Sequence, residues 1–389
     1  MPSASIYSFS ATMSRNFIGL CKLSPYNHAL IHKWSFRLFS SSLTTPYLTL
    51  GTTVKNDLPD GSDIRDILLF DPAKEEMLTI PNKTFPEELV DSRQIGSGRG
   101  WGVFSNDHER SLCISDLYNH SLASKSNPTM IPLPSLASVH SNQINVVWNV
   151  AMSSSSPRDE DFVVAIKLLD RQLSLCRPHC DVRWTNLGEM LFENNLQKLE
   201  NSNLMYSKRD RRFYLPGPGG NSLYSWDPHL KKNKSPKIHE LLFRDLPELD
   251  DSEWKLLGWC CRTEHLVDSV SNGERFLVKW YAQRFFSMSH EGTNYTTRRF
   301  MVFREKTTME GRYMYYTEDI GDVCIFLSMS EAFCVEASSC PGLNPNSIYF
   351  IGHGFGIYNL ADTTFHHFQA PEGAPTSFKD PYWLPPSCV

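Results

Sequence analysis

The sequence predicts an all-β protein, a β-propeller of six or seven four-stranded blades that follows a cleavable N-terminal leader. Three observations indicate this: short apolar runs rich in aromatic and β-branched residues fill most of the chain, tryptophans recur along it, and no acidic residue precedes Asp57. Aromatic and β-branched side chains pack well on a pleated surface, so such runs are typical of strands. We therefore predict a mitochondrial targeting leader at 1–39 and a single β-propeller domain at 40–389.

The leader is predicted from its composition. Residues 1–56 contain no Asp or Glu and many serines, and they carry five basic residues: Arg15, Lys22, Lys33, Arg37 and Lys55. A basic, acid-free and Ser-rich start is typical of an organelle import signal. A short helix would place Phe17, Ile18 and Leu20 on one face and cations on another.

The end of the leader is predicted from residues 37–42, Arg-Leu-Phe-Ser-Ser-Ser. They resemble the mitochondrial processing pattern of an Arg two residues before an aromatic, followed by Ser, so we expect cleavage after Phe39. The leader lacks the apolar core of a secretory signal, and the chain lacks an apolar run of about 18 residues that could span a membrane. Two alternatives stay open: chloroplast import, whose leaders are also Ser-rich and acid-poor, and a disordered tail of a cytosolic protein.

The predicted body is mildly acidic. Cleavage after Phe39 removes four of the 38 Lys and Arg and leaves 34 against 43 Asp and Glu, a net charge of −9. Broad affinity for nucleic acid needs excess positive charge, so this balance argues against it. Ten cysteines are spread thinly over the chain and do not form the dense framework of a small secreted domain. We interpret them as reduced thiols.

Several apolar runs are spaced as hairpins. Polar turns separate 67–70 from 77–80, 162–167 from 173–176, and 213–215 from 223–226. A four-stranded propeller blade takes about 40–50 residues, so the body would hold six or seven blades. Tryptophans fall about once per blade, and we expect them to pack between blades: they are Trp101, Trp148, Trp184, Trp226, Trp254, Trp259 and Trp280.

Three segments of the body do not read as strands. The pattern allows a helix at 189–198, where Leu191, Phe192 and Leu196 stand among polar residues. Residues 231–237 read as a basic loop and 245–253 as an acidic one. We interpret both as solvated loops, with a docking surface as the alternative.

Residues 327–352 resemble the hallmark segment of a plant family called domain of unknown function 295, or KIB-type β-propeller. The most specific part is 341–350, Pro-Gly-Leu-Asn-Pro-Asn-Ser-Ile-Tyr-Phe. Further segments fit as well, and the similarity covers about 47–383: they are 67–81, 96–104, 356–360 and 382–386. Many members carry an F-box before the propeller and serve as ubiquitin-ligase substrate adaptors. Here a leader takes that place, which resembles the organellar branch without F-box, so the resemblance implies a fold and an address but no reaction.

The hallmark segment also has a physical interpretation. Pro341 and Pro345 fix φ and bias the preceding residue to an extended conformation. Gly342 tolerates a turn geometry closed to other residues, and Asn344 and Asn346 can bond nearby backbone amides. We expect a rigid loop that delivers 348–351 as a buried strand.

Two glycine-rich segments superficially suggest phosphate-binding loops. They begin at Gly96 and Gly352, and each has glycine at every second position. A dinucleotide fingerprint follows a strand and opens a helix, whereas the residues after both segments read as strand. We predict turns between strands and no nucleotide site.

Possible metal ligands and catalytic histidines are few. Cys176, His179 and Cys180 lie within five residues, and Cys260, Cys261 and His265 offer a second half, but adjacent cysteines in a strand point to opposite faces. His366 and His367 share the predicted strand 363–368, so we expect one exposed imidazole and one half-buried imidazole. We also see no nucleophile elbow. We predict no catalytic, cofactor-binding or metal-binding residue.

The predicted function is an organelle-imported, non-enzymatic β-propeller that acts as a protein-interaction scaffold. We expect a monomer in mitochondria, with no cofactor, no membrane span, an unidentified protein partner and no nucleic acid. One alternative is an F-box-like substrate adaptor of a ubiquitin ligase that has lost its F-box. Another is an enzyme with its active site in the central channel, which a cluster at one channel mouth would support: His179, His265, Glu318 and Asp319.

Overall fold

The structure is a computed structural model that describes residues 45–106, 111–118, 127–136, 147–168, 173–187, 202–217, 220–228, 236–269, 271–286, 293–371, 374 and 381–386. These residues form 25 β-strands, two short α-helices and a 3-10 turn at Ala337–Ser339. The predicted leader, its cleavage site and the predicted helix at 189–198 lie outside the described residues.

The strands of the first half are β1 (Tyr47–Asp57), β2 (Asp63–Asp71), β3 (Glu76–Phe85), β4 (Ser92–Gly98), β5 (Trp101–Asn106), β6 (Leu112–Ser115), β7 (Met130–Leu133), β8 (Val147–Met152), β9 (Val164–Leu168), β10 (Leu173–Cys176), β11 (Thr185–Asn186) and β12 (Met205–Ser207). Those of the second half are β13 (Arg212–Pro216), β14 (Ser222–Trp226), β15 (Lys237–Arg244), β16 (Cys261–Asp268), β17 (Arg275–Phe286), β18 (Thr293–Thr308), β19 (Gly311–Thr317), β20 (Val323–Leu327), β21 (Phe333–Glu336), β22 (Ser347–Ile351), β23 (Phe355–Asn359), β24 (Phe365–His367) and β25 (Trp383–Leu384). Helix α1 spans Glu87–Val90 and helix α2 spans Asp251–Gly258.

The strands form five sheets in the described residues. Sheet 1 has the order β25-β1-β2-β3, sheet 2 the order β4-β5-β6-β7, and sheet 3 the order β11-β10-β9-β8. Sheet 4 has eight strands, β12-β13-β14-β15-β19-β18-β17-β16, and sheet 5 has five, β21-β20-β22-β23-β24. Sheets 1 to 3 are antiparallel and four-stranded, which is the make-up of a propeller blade.

Sheet 4 consists of two antiparallel quartets, β12 to β15 and β16 to β19. A parallel pairing of β15 with β19, from Leu241 opposite Arg312 onward, joins them at one edge. At the other edge Ser202 forms a parallel bridge with Glu264, whose carbonyl accepts from the Asn203 amide at 2.8 Å. The two quartets are therefore linked at both edges around a shared core, which includes Tyr214, Leu277 and Phe303.

Hydrophobic cores lie between successive sheets all the way round the molecule. One core joins sheets 2 and 3, the next joins sheet 3 to β12–β14, and another joins the second quartet of sheet 4 to sheet 5. A further core joins sheet 5 to sheet 1, and the last joins sheet 1 back to sheet 2 through Leu69 and Phe104. Each sheet buries both faces against its neighbours, which is the packing of a propeller ring.

The ring is closed by the two ends of the described chain. In sheet 1 the C-terminal strand β25 pairs with the N-terminal strand β1, with Tyr47 opposite Leu384 and Leu48 opposite Trp383. The Thr49 amide also donates to the Tyr382 carbonyl at 3.0 Å. One sheet thus contains both the first and the last strand, so unfolding of the closing strand would open the ring.

The predicted hairpins are confirmed. β2 pairs with β3, β9 with β10, and β13 with β14, all antiparallel. The buried strand predicted after the hallmark loop is β22, and all five of its residues are buried. Asn346 adopts a positive φ of 53°, and its side-chain oxygen accepts from the Ile320 amide at 2.9 Å, so this loop has the architectural role expected of it.

Two sequence-based expectations need correction. The acidic segment 245–253 is not all loop: α2 begins at Asp251, and the Asp250 side chain accepts from the Glu253 amide at 2.8 Å as an N-cap. Trp254 and Trp259 do not pack between blades, because this inserted helix leaves them on the surface. The other five predicted inter-blade tryptophans are buried.

Candidate functional site on the ring axis

Strands β4, β8, β12, β16 and β21 are edge strands, and each contacts the next across the gap between sheets. Because propeller blades are arranged round a central channel, we assign these mutually contacting edges to the axis of the ring. Gly96 on β4 shows how close they come: a Cβ added there would lie 2.3 Å from Cγ2 of Val150 on β8. Glycine in the segment 96–100 therefore allows β4 to pack closely against β8. The turn of this segment lies at Arg99 and Gly100, both with positive φ.

One buried carboxylate ties several sheets together. Glu331, in the link between β20 and β21, accepts from the Tyr206 amide at 2.8 Å and the Met152 amide at 3.4 Å. Its own amide donates to the Ser97 carbonyl, and its carboxylate lies 3.8 Å from the Arg99 guanidinium. Sheets 2, 3, 4 and 5 therefore meet at this residue.

Arg99 completes the same junction. Its Nε donates to the Met152 carbonyl at 2.7 Å and its Nη2 to the Tyr206 carbonyl at 2.8 Å, while its guanidinium lies over the Tyr206 ring. Burial raises the pKa of Glu331, and the nearby Arg99 and the two backbone amides oppose that rise. We call Arg99 and Glu331 the axial latch.

The raised pKa of Glu331 predicts a pH-dependent contribution to stability. Because the pKa of Glu331 is higher in the folded state than in the unfolded state, folding favours the protonated carboxyl. This contribution to the free energy of unfolding is present at low pH and is lost as the pH rises through the folded-state pKa. We expect the unfolding free energy of Glu331→Gln, relative to that of the wild type, to be higher at pH 7.5 than at pH 4.5. Urea denaturation at the two pH values measures this difference. Glu318→Gln at an exposed turn is the matched control. A Glu331→Gln difference that is the same at both pH values would contradict the prediction.

A second polar group on the axis is a relay of side chains centred on His265. The Trp148 indole donates to Asn203 Oδ1 at 2.9 Å, Asn203 Nδ2 lies 3.0 Å from His265 Nδ1, and His265 Nε2 lies 3.2 Å from Thr263 Oγ1. An indole can only donate, so the Asn203 amide donates to Nδ1 and the imidazole proton sits on Nε2.

His265 is completely buried in this relay. Burial, followed by the charges of His353 and Lys167, lowers its pKa to about 3, so the imidazole is neutral at physiological pH. Both of its nitrogens are engaged by neighbouring side chains. The relay joins sheets 3 and 4 by hydrogen bonds, and a histidine held in this way has a structural role.

A third polar group lies at the C-terminal end of β16. Arg275 is buried and bonds Asp268, Asp210 and Glu305, while its guanidinium lies 4.7 Å from the centre of the Tyr214 ring. The Tyr214 hydroxyl donates to Asp210 at 2.7 Å. Although burial opposes it, these hydrogen bonds and the Arg275 charge lower the pKa of Asp210 to about 2. The group fastens the two quartets of sheet 4 to each other.

The metal ligands considered from the sequence do not come together. In the described residues no group of three or more His, Cys, Asp and Glu could hold a metal ion. Cys176 is buried, and burial raises its pKa to about 12, whereas Cys180 is exposed and His179 Nε2 lies 2.7 Å from the Pro157 carbonyl.

The four residues considered for a channel active site lie in different surroundings. His265 belongs to the axial relay, and His179 lies in the turn between β10 and β11. Glu318 and Asp319 follow β19 on the surface, where they bond to Tyr316 and Thr317. The sequence singled out His265 as a possible catalytic residue, whereas the structure places it in the relay. The axial latch was missed because Arg99 and Glu331 are 232 positions apart in the sequence.

The prediction for the histidine pair is wrong in one respect. His366 and His367 do lie in a strand, β24, but both are exposed because β24 is the outer edge of sheet 5. His366 Nε2 contacts the Glu75 carboxylate at 2.8 Å.

Neither helix in the described part of the chain is long and apolar enough to cross a membrane.

Comparison with solved structures finds matches of low similarity. A structural genomics protein of unknown function from Bacteroides thetaiotaomicron shares 11% identity at a TM-score of 0.32, covering 72% of this chain and 64% of that one. This chain thus spans less than two thirds of that protein. A complex of KlAtg21 with the coiled-coil of AgAtg16 shares 9% identity at a TM-score of 0.31, covering 65% and 76%. Nothing about function follows from matches at this level.

A family model, matched by the sequence, identifies the family. No curated protein matches the sequence. The family model described as KIB1-4 beta-propeller matches residues 69–362, which is most of the ring and includes both the axial latch and the hallmark loop. With closure through β1 and β25 and a packed core between every two neighbouring sheets, the chain belongs to the KIB1-4 beta-propeller family.

Proposed function

We propose that this protein is an organelle-imported, non-enzymatic β-propeller that acts as a protein-interaction scaffold. One observation carries the proposal: buried polar side chains are engaged in holding the ring together, since Glu331 and His265 bond across sheets and Arg275 bonds across the two quartets of sheet 4. A ring stiffened in this way holds the loops at its two faces in fixed positions, and loops on a rigid support are where propellers bind partners.

We infer further that the ring has six blades. Sheets 1, 2 and 3 supply one blade each, the two quartets of sheet 4 supply two, and sheet 5 supplies the last with an additional strand. The additional strand arises because β20 and β22 run parallel, with the β21 hairpin strand at the inner edge.

The scaffold proposal is tested by affinity purification of the tagged full chain from isolated organelles, with mass spectrometry of the proteins that co-elute. We expect a reproducible protein partner that remains after stringent washing. If the tagged chain elutes without a stoichiometric partner and turns over a metabolite in the same extracts, the scaffold proposal is wrong.

Import into mitochondria is supported by the basic, acid-free leader and is tested with a reporter. We expect residues 1–43 fused to a fluorescent protein to direct it to mitochondria. Replacing Arg15, Lys22, Lys33 and Arg37 with glutamine should abolish this, because import requires the leader's positive charge. Chloroplast signal would move the address to that organelle.

Diffuse cytosolic signal of the unmodified fusion would contradict import. It would favour the alternative of an F-box-lacking substrate adaptor, which the family resemblance supports. That adaptor would co-purify with ubiquitin-ligase subunits, so the same affinity purification separates the two functions.

A further inference from the structure

Helix α2 and the residues around it form an unusually apolar part of the surface. Trp259 is 85% exposed and Leu246 is 54% exposed, while Trp254 and Leu256 are each more than one third exposed. These four residues lie within 14 positions of one another in the link between β15 and β16. Large exposed side chains close together, tryptophan above all, are typical of protein-binding surfaces.

The same segment is strongly acidic. It carries one basic residue, Lys255, against five acidic residues, all of them exposed: Asp245, Glu248, Asp250, Asp251 and Glu253. We call residues 245–259 the α2 surface. Its net charge of −4 accounts for much of the acidity of a chain whose total is −5.

The α2 surface is held rigidly. The Asp250 side chain caps the first turn, Leu257 is buried in the core between the two quartets, and Glu253 pairs with Arg299 of β18 at 3.7 Å. Its exposed groups are therefore presented in a fixed arrangement, which lowers the entropy lost on binding.

A further exposed aromatic ring lies on the strands that follow α2. The Cys260 thiol donates to the Leu256 carbonyl at 3.4 Å, which ties the end of α2 to the residue before β16. On the neighbouring strands, Arg298 of β18 lies 5.2 Å from the centre of the Phe285 ring of β17, and Phe285 is more than one third exposed. Phe285 thus adds an exposed aromatic ring on β17, outside the α2 surface.

The α2 surface lies on the opposite face of the ring from a basic turn. Lys237 begins β15 opposite Ser225, beside the turn of exposed Lys208, Arg209 and Arg211 that joins β12 to β13. β15 then runs eight residues, about 26 Å at about 3.3 Å per residue, before the chain reaches α2. The two charged faces are therefore separate surfaces.

We propose that the α2 surface docks a Lys- and Arg-rich amphipathic segment of a partner protein. This rests on the proposed scaffold function and names the surface and the partner's chemistry. Apolar residues of the partner pack on the exposed tryptophans, and its cations pair with the acidic side chains and stack on the indole rings. The charge of the α2 surface selects a basic partner over an acidic one.

The test places the photo-crosslinking amino acid p-benzoylphenylalanine at position 259 in the full chain, expressed in cells. Position 211, on the basic turn of the opposite face, is the matched site. We expect position 259 to crosslink a protein whose mapped peptide has a net positive charge and apolar residues. Glu248→Lys combined with Asp251→Lys should reduce that crosslink at least tenfold and leave crosslinks at position 211 unchanged.

Each other outcome has a definite meaning. Crosslinks at 211 without crosslinks at 259 would overturn the α2 proposal and leave the scaffold function standing. Crosslinks at neither position would count against both. A crosslinked peptide that is neutral or acidic, or that comes from a second copy of this chain, would also overturn the proposal. Circular dichroism of the charge-reversed variant confirms that it folds.

Discussion

Replacing Arg275 with alanine is expected to destabilise the protein by about 3–5 kcal/mol, because removing one partner of a buried ionic group leaves the others uncompensated. The guanidinium is fully buried among Asp268, Asp210 and Glu305. Without it, three carboxylates would remain close together with their shared cation gone. Urea denaturation at pH 7 measures the effect.

The matched control for this prediction is Arg209→Ala. Arg209 also pairs with Asp210, at 3.4 Å, but its side chain is nearly half exposed. Exposed ion pairs contribute about 0–1 kcal/mol, so the control should cost no more than that. Equal losses for the two variants would mean that the buried group is not what fastens the quartets of sheet 4.

Replacing Trp383 with alanine is expected to cost about 3–5 kcal/mol, as large-to-small changes of buried aromatic residues do. Trp383 is the first residue of the closing strand, and its side chain packs edge-on against Phe326 and Tyr349. Its indole also donates to the Leu327 carbonyl at 3.1 Å, which joins sheet 1 to sheet 5. Thermal unfolding followed by circular dichroism measures the loss.

Trp259→Ala is the control for the loss of a tryptophan as such. Trp259 is 85% exposed, so its removal should change the unfolding free energy by no more than about 0.5 kcal/mol. A small effect of Trp383→Ala, comparable with the control, would mean that closure by β25 contributes little to the stability of the ring.

Much of the fold could be predicted because strand signals are local. The hairpin of β2 and β3 follows from two apolar runs around a polar turn, and the Pro341 to Asn346 loop follows from residues with restricted or permissive backbones. Helix α2 was missed because it is only eight residues long and buries a single leucine, so no apolar periodicity marks it. Its tryptophans were then assigned to the core.

The axial site could not be predicted in the same way. The axial latch joins Arg99 to Glu331, and the relay joins Trp148, Asn203 and His265, across separations that no local pattern encodes. Gly96 and Gly98 gave the one available signal, an excess of glycine where β4 approaches β8. The same glycine pattern is compatible with a phosphate-binding loop, because close packing of strands and close approach of a ligand both require glycine. The sequence alone therefore does not distinguish the two.

The central claim is that the chain closes into a ring through its first and last strands, and a disulfide tests it most directly. Tyr47→Cys combined with Leu384→Cys places two thiols at paired positions of β1 and β25, within the range a disulfide can bridge. Val54→Cys with Leu384→Cys is the control, because Val54 lies seven residues, about 23 Å, further along the strand. The account predicts a 47–384 disulfide under mild oxidation, mapped by mass spectrometry, and none in the control; a folded protein that fails to form it, or forms both equally, would contradict ring closure.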